Sequence, residues 1–173
     1  MDGFKQVAQG IGTAVMFDTE HWPFLIIFPQ KPDIAETWLQ NDDLVLSELK
    51  AVKNDYRVDE DRLYLTGLSQ GGFGTWAIGA KYPELFAAIV PICGGGDKDQ
   101  VKALKSVPVW AFHGAADTTV PPMMSESMVQ ALKDAGGDAK LTLYPGVGHN
   151  SWDKAYREEK LYDWLLSHKR TKH

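Results

Sequence analysis

The stretch Leu63-Tyr64-Leu65-Thr66-Gly67-Leu68-Ser69-Gln70-Gly71-Gly72-Phe73-Gly74 joins two kinds of pattern. The apolar run Leu63-Tyr64-Leu65 enters it and suits a strand. A helix-compatible run, Phe73 to Lys81, leaves it. Between them Gly67, Ser69 and Gly71 form Gly-x-Ser-x-Gly, a sharp strand-to-helix turn that presents a serine at the end of a sheet. Such a turn crowds the positions two before and two after the serine, so both are expected to need glycine. The serine itself takes strained backbone, which persists only where the surroundings force it. The helix behind it aims N-terminal N–H groups at the place where negative charge develops in acyl transfer. A glycine-rich loop with an incidental serine is the alternative, and the strand before and helix after argue against it.

A serine hydroxyl is a weak nucleophile at neutral pH and needs a base, which an acid must orient. Behind a turn of this kind the partners come in the order acid, then histidine, each on the loop after a later strand. Val107-Pro108-Val109-Trp110-Ala111-Phe112 is an apolar strand that runs into a polar loop, His113 to Pro121, carrying Asp117. Lys140-Leu141-Thr142-Leu143-Tyr144 alternates as a strand and ends in Pro145-Gly146-Val147-Gly148-His149-Asn150. Ser69, Asp117 and His149 therefore each follow a strand, in the required order.

The 173 residues suit one domain, 1–173, with a sizeable core. Hydrophobic content of 44% and charged content of 24% are ordinary for a globular chain. A net charge of −5 argues against a nucleic-acid surface, and the short basic tail Lys169-Arg170-Thr171-Lys172 reads as a frayed end. No stretch has the apolar length of a membrane span, and the first residues show no signal-peptide pattern. The single cysteine, Cys93, excludes an internal disulfide and sits in an apolar run as a small core residue. Gly10 and Gly12 are a lone Gly-x-Gly with no strand before it, so a dinucleotide site is not expected there. No His, Cys, Asp or Glu set has metal-ligand spacing, and neither a metal nor a cofactor is expected.

Pro23-Phe24-Leu25-Ile26-Ile27-Phe28-Pro29 reads as a strand buried on both faces. Asp42 and Asp43 open a helix with an apolar stripe at Val45, Leu49, Val52 and Tyr56. A strand over 62–66, the turn, and a helix over 71–81 follow, stopped by Pro83. Residues 86–92 form a strand closed by Gly94-Gly95-Gly96-Asp97. A short helical turn at 101–104 precedes the strand at 107–112. Pro122 starts a helix that carries Met124, Met128 and Leu132 as core filler and ends at Gly136-Gly137. After the strand at 140–144, a last helix spans about 153–168, with Leu161, Trp164, Leu165 and His168 on one side. Strands alternating with helices predict an α/β fold, three layers α/β/α, with a mostly parallel sheet of about five strands. Such sheets carry their sites at the C-terminal strand ends, where the three candidate residues fall.

These features together resemble an α/β-hydrolase of the small esterase branch, close to carboxylesterases and feruloyl-esterase-like enzymes related to the prolyl-oligopeptidase and dienelactone-hydrolase groups. The stretches that carry the likeness are 58–69, 86–97, Phe112 to Asp117, and Tyr144 to Trp152, and it covers about residues 23–168. It implies Ser69 as nucleophile, His149 as general base and acid, and Asp117 as the residue orienting His149. Such enzymes take one oxyanion-hole N–H from a His-Gly-rich loop after an earlier strand and the other from the residue after the nucleophile, here Gln70. The only His-Gly pair in this chain is His113-Gly114, on a later loop, and no strand-like run precedes Pro23. The resemblance therefore implies a truncated α/β-hydrolase fold with an unpaired apolar edge beside strand 62–66. A homodimer could cover that edge, and esterase activity is expected to be weak at best.

Asp97 also follows a strand and is the rival acid; Asp117 is preferred because the family's acid follows the next strand. His113 is expected to cap its own loop. Trp38 and Trp152 could line a substrate pocket or simply pack under the active-site loops. His21, His168 and His173 are isolated in the sequence. The expected activity is metal-free hydrolysis of a small-molecule carboxylic ester. Peptide or thioester cleavage is the alternative within enzymes, and a catalytically inactive assembly or binding module the alternative outside them.

Overall fold

Among the described residues four strands, β1 (Tyr64–Leu68), β2 (Ala88–Ile92), β3 (Val109–Gly114) and β4 (Ala139–Tyr144), lie side by side in chain order, every neighbouring pair parallel. The computed structural model describes residues 7–17 and 22–170; His21, His173 and the tail residues Thr171 and Lys172 lie outside them. Parallel neighbours require crossovers, and each crossover here carries helical structure that covers a sheet face. Because successive strand residues point to opposite faces, the sheet has two cores. On one face Ile89, Val109 and Ala111 meet Trp76 and Ile78 of α3 (Gln70–Lys81), Met128 and Leu132 of α4 (Met123–Asp134), and Leu104 of the 3₁₀ segment Val101–Ser106. Val45 of α2 (Asp42–Asp55) packs against the same face. On the other face Val90, Ile92, Trp110 and Phe112 meet Ala14 of α1 (Ile11–Phe17), Ala155 of α5 (Trp152–Ala155), and Leu161 and Leu165 of α6 (Glu159–Ser167). Each fully buried large aliphatic or aromatic side chain contributes about 1.5–3 kcal/mol of hydrophobic stabilisation. The three-layer α/β/α architecture is thus as expected, and the methionine of α4 at 128 is core.

The strand count differs from the expected five. Residues 24–28 form no strand and pair with none among the described residues. Pro23 and Pro29, which lack N–H groups, bound the run, and aromatic packing holds it instead of a ladder. The Phe24 ring lies 5.7 Å from Tyr64 and 6.1 Å from Tyr162, while Leu25 remains 62% exposed. β1 is consequently an edge strand and only half-buried, whereas β2 and β3 are buried at every residue.

Three local expectations also change. Residues 11–17 form a short helix in a stretch where the sequence offered only the lone Gly-x-Gly. The expected last helix is two, broken at Tyr156–Glu158. The Tyr156 carbonyl accepts from the Tyr162 hydroxyl, and the buried Tyr156 hydroxyl lies 2.9 Å from Thr66 Oγ1, so tertiary bonds outcompete a continuous helix. The tail is not frayed through Arg170. Its N–H donates to the Asp61 carbonyl (2.8 Å), its guanidinium donates to the Glu84 carbonyl (2.7 Å), and Tyr64 bonds the His168 carbonyl at 3.0 Å. His168 Nδ1 lies 2.7 Å from the Trp164 carbonyl, four residues back along the chain. Among the described residues no helix is long and apolar enough to cross a membrane.

Candidate active site

Ser69 directly follows β1, Asp117 follows β3 and His149 follows β4. Parallel strands all end at one edge of the sheet, so three loops far apart in sequence become neighbours there. Ser69 Oγ lies 2.8 Å from His149 Nε2 across 80 residues of chain, and His149 Nδ1 lies 2.7 Å from Asp117 Oδ2. Asp117 Oδ1 accepts the N–H groups of Thr119 and Val120, each at 2.9 Å. Burial pushes the Asp117 carboxyl up, but the bonds from His149, Val120 and Thr119 outweigh it and hold the group below the usual carboxylate range. An ionised carboxylate only accepts, so His149 Nδ1 carries the proton and Nε2 is left to accept from the serine hydroxyl.

Ser69 has φ 52 and ψ −117, the strained turn expected of it. Its N–H donates to the Ile92 carbonyl at 2.9 Å, tying the turn to the end of β2. Gly67 is forced by contact: a Cβ there would lie 2.3 Å from the Gly71 carbonyl oxygen. The converse expectation fails, because a Cβ on Gly71 would meet only Trp38 Nε1 at 3.9 Å. The second crowded glycine is Gly72, whose Cβ would lie 2.3 Å from the Ile92 carbonyl oxygen. Gly67→Ala is expected to cost roughly 1–3 kcal/mol in urea denaturation, because the clash is with backbone that cannot step aside. It should also lower ester turnover about 10²-fold by displacing Ser69.

Gln70 opens α3, so its N–H is one of the helix's unspent first-turn donors and lies next to the serine. Its side chain ties down the neighbouring loop, with Nε2 donating to the Ile34 and Glu36 carbonyls at 3.0 and 3.2 Å and Oε1 accepting from Lys31 at 2.9 Å. A groove of about 900 Å³ runs along the free edge of β1 between residues 23–29 and α2, and reaches Ser69. Phe24, Ile26, Leu49, Leu65 and Tyr162 give it apolar walls, and Trp38 lines it. Trp152 instead packs its ring edge-on to His149, centroids 5.3 Å apart, and is not part of the groove wall.

Asp97, the rival acid, is exposed and spends its Oδ1 on the Asp99 N–H at 2.9 Å. Cys93 is fully buried, as expected of a core residue, but its place was not legible. It has φ 39, and its Sγ accepts the Ser69 N–H at 3.3 Å, directly beneath the turn that carries Ser69. The one signal was the Gly94-Gly95-Gly96 run after it; a Cβ on Gly94 would lie 2.5 Å from Gly72 backbone.

The profile of the dienelactone hydrolase family matches residues 29–163, well over half of the chain. The chain belongs to the dienelactone hydrolase family. It is similar to a Salmonella typhimurium protein named "Putative carboxymethylenebutenolidase", 33% identical over 100 residues, with 53% of this chain and 37% of the relative covered. Among solved structures it is similar to a thermostable esterase at 37% identity and a TM-score of 0.73, over 76% of this chain and 37% of that one. It also shares its fold with SOBER1 F65L of Arabidopsis thaliana, at 22% identity and a TM-score of 0.60, over 75% of this chain and 62% of that one. The chain therefore spans little more than a third of the length of the first two.

In this family member Cys93 Sγ, the Asp117 carboxylate and a His149 ring nitrogen all lie within 4.8 Å of one another. The donor chemistry does not suit an ion. Burial pushes the Cys93 thiol up to about 11, which leaves it protonated at neutral pH, and Asp117 and His149 already bond each other.

Proposed function

We propose that this dienelactone hydrolase family protein hydrolyses small carboxylic esters through an acyl-enzyme on Ser69. The observation that carries the reading is the continuous bond chain Ser69 Oγ–His149 Nε2 and His149 Nδ1–Asp117 Oδ2, held on a strained turn at the head of α3. As Ser69 Oγ attacks the ester carbonyl carbon, its proton passes to His149 Nε2, and the carbonyl oxygen becomes an oxyanion beside the Gln70 N–H. Asp117 faces the resulting imidazolium and offsets its charge without taking its proton. When the tetrahedral intermediate collapses, the carbon–oxygen bond to the alcohol breaks and Nε2 returns the proton to the departing alkoxide. Water then repeats the sequence: it loses a proton to Nε2, adds to the acyl carbon, and releases the carboxylic acid with Ser69 restored. The apolar groove beside β1 is the place for an apolar substituent of the ester, with Trp38 in its wall.

A fluorophosphonate probe followed by peptide mass mapping tests the reading. Modification is expected at Ser69 and is expected to vanish in His149→Ala, because the hydroxyl is then no longer activated. Modification of a different serine, or none at all, would overturn it.

A further inference from the structure

We propose that His113 is a positioning residue of this site, whose Nε2–H faces the same Asp117 oxygen that holds His149 and so fixes the carboxylate that fixes the base. The inference rests on the reading of Ser69, His149 and Asp117 as a hydrolytic triad. His113 is fully buried at the end of β3. Its Nε2 lies 2.9 Å from the Val120 carbonyl oxygen and 3.2 Å from Asp117 Oδ2. A carbonyl and an ionised carboxylate only accept, so the proton must sit on Nε2, where it donates to the Val120 carbonyl and lies beside the Asp117 carboxylate. The other ring nitrogen is occupied as well: Nδ1, bare in that tautomer, lies 2.7 Å from the hydroxyl of Ser125, itself fully buried on α4, and the one proton of that hydroxyl lies between Nδ1 and the Gly94 carbonyl oxygen at 2.9 Å.

A histidine that merely capped its own loop would need only the Val120 carbonyl. Here a line of close polar contacts runs from Gly94 through Ser125, His113, Asp117 and His149 to Ser69, its His113–Asp117 step a 3.2 Å approach of Nε2 to the carboxylate, and links the loops after β2, β3 and β4 to the turn after β1. Asp117 Oδ1 is fixed by two backbone N–H groups. Oδ2 is met by two imidazoles, one exposed enough to reach substrate and one wholly enclosed. Without the enclosed one, the carboxylate loses a second constraint on its plane, and the His149 ring follows it. In a buried network a missing donor is felt along the whole chain.

Two substitutions separate the two ends of the ring. His113→Gln sets an amide N–H near the place of Nε2, whereas His113→Asn sets one near Nδ1 and leaves Oδ2 unfaced on that side. With a short p-nitrophenyl ester, at a temperature where circular dichroism shows each protein folded, the Gln variant should keep kcat within about threefold of wild type. The Asn variant should lose about 10- to 100-fold in kcat with KM unchanged. Equal kcat in the two variants, a loss confined to KM, or a loss of kcat in the Gln variant would each overturn the role. Should the Asn variant not fold, His113→Met, close to the Gln variant in volume and lacking the N–H, takes its place with the same deciding outcomes. Turnover that survives Ser69→Ala overturns the triad itself, and this inference with it. Turnover lost in Ser69→Ala, with the Gln and Asn variants alike, overturns only the role of His113.

Discussion

Ser69→Ala is expected to turn over a short p-nitrophenyl ester at least about 10⁴-fold more slowly than wild type, as in serine hydrolases stripped of one triad member. The substitution removes one oxygen, the atom 2.8 Å from His149 Nε2. The turn survives it, because Ser69's backbone bonds to Ile92 and Phe73 do not involve the hydroxyl, and alanine meets the same strained φ that serine does. Thermal unfolding should therefore move by only a few degrees, a shift of order 1 kcal/mol. What remains is attack by water at a carbonyl still polarised by the N-terminus of α3, which sets a floor above the uncatalysed rate. His149→Ala should fall nearly as far, and the double variant no further than either single one, because the residues act as one unit. Full turnover in Ser69→Ala would remove the serine from the mechanism. Additive losses in the double variant would show that Ser69 and His149 act in separate steps.

Asp117→Asn is expected to cost about 10⁴ in kcat at an almost unchanged fold. The asparagine oxygen can still accept from Thr119 and Val120, so the loop keeps its shape. The amide nitrogen, however, would face His149 Nδ1 as a donor. The ring answers by moving its proton to Nε2, and Nε2 can then no longer accept from Ser69 Oγ. The loss comes from a wrong tautomer and an unbalanced imidazolium charge. Neutralising the carboxyl by acid should not mimic it until well below neutral pH, since the carboxyl is held under its ordinary range and stays ionised there. Asp97→Asn is the control. Asp97 is exposed and bonds only its own loop, so kcat should stay within about twofold, the scale of a surface substitution. A larger loss from Asp97→Asn than from Asp117→Asn would reassign the acid.

Much of the site was legible because its signals are local. Gly67, Ser69 and Gly71 sit within one turn. The periods on either side change from strand to helix, and Asp117 and His149 each follow an apolar run; every one of these is a property of adjacent residues. The sequence by itself thus determined the order strand–turn–helix at Ser69, the parallel alternation, and three side chains that the structure brings within hydrogen-bond distance of one another. The structure decided what depends on partners distant along the chain. Residues 24–28 have the composition of a buried strand, but composition cannot name a pairing partner, and aromatic contacts with Tyr64 and Tyr162 hold them off the β1 edge. The stripe from 153 to 168 has a helical period, but Tyr156 bonds Thr66 and Tyr162 instead of the next turn. Arg170 looked like a loose end until Asp61 and Glu84 were placed beside it. Cys93 and His113 read as core and cap; only the meeting of four loops puts one against the Ser69 N–H and the other against the Asp117 carboxylate. Period and turn chemistry are settled within a few residues, whereas a shared proton or an unpaired edge is settled by the packing of segments tens of residues apart.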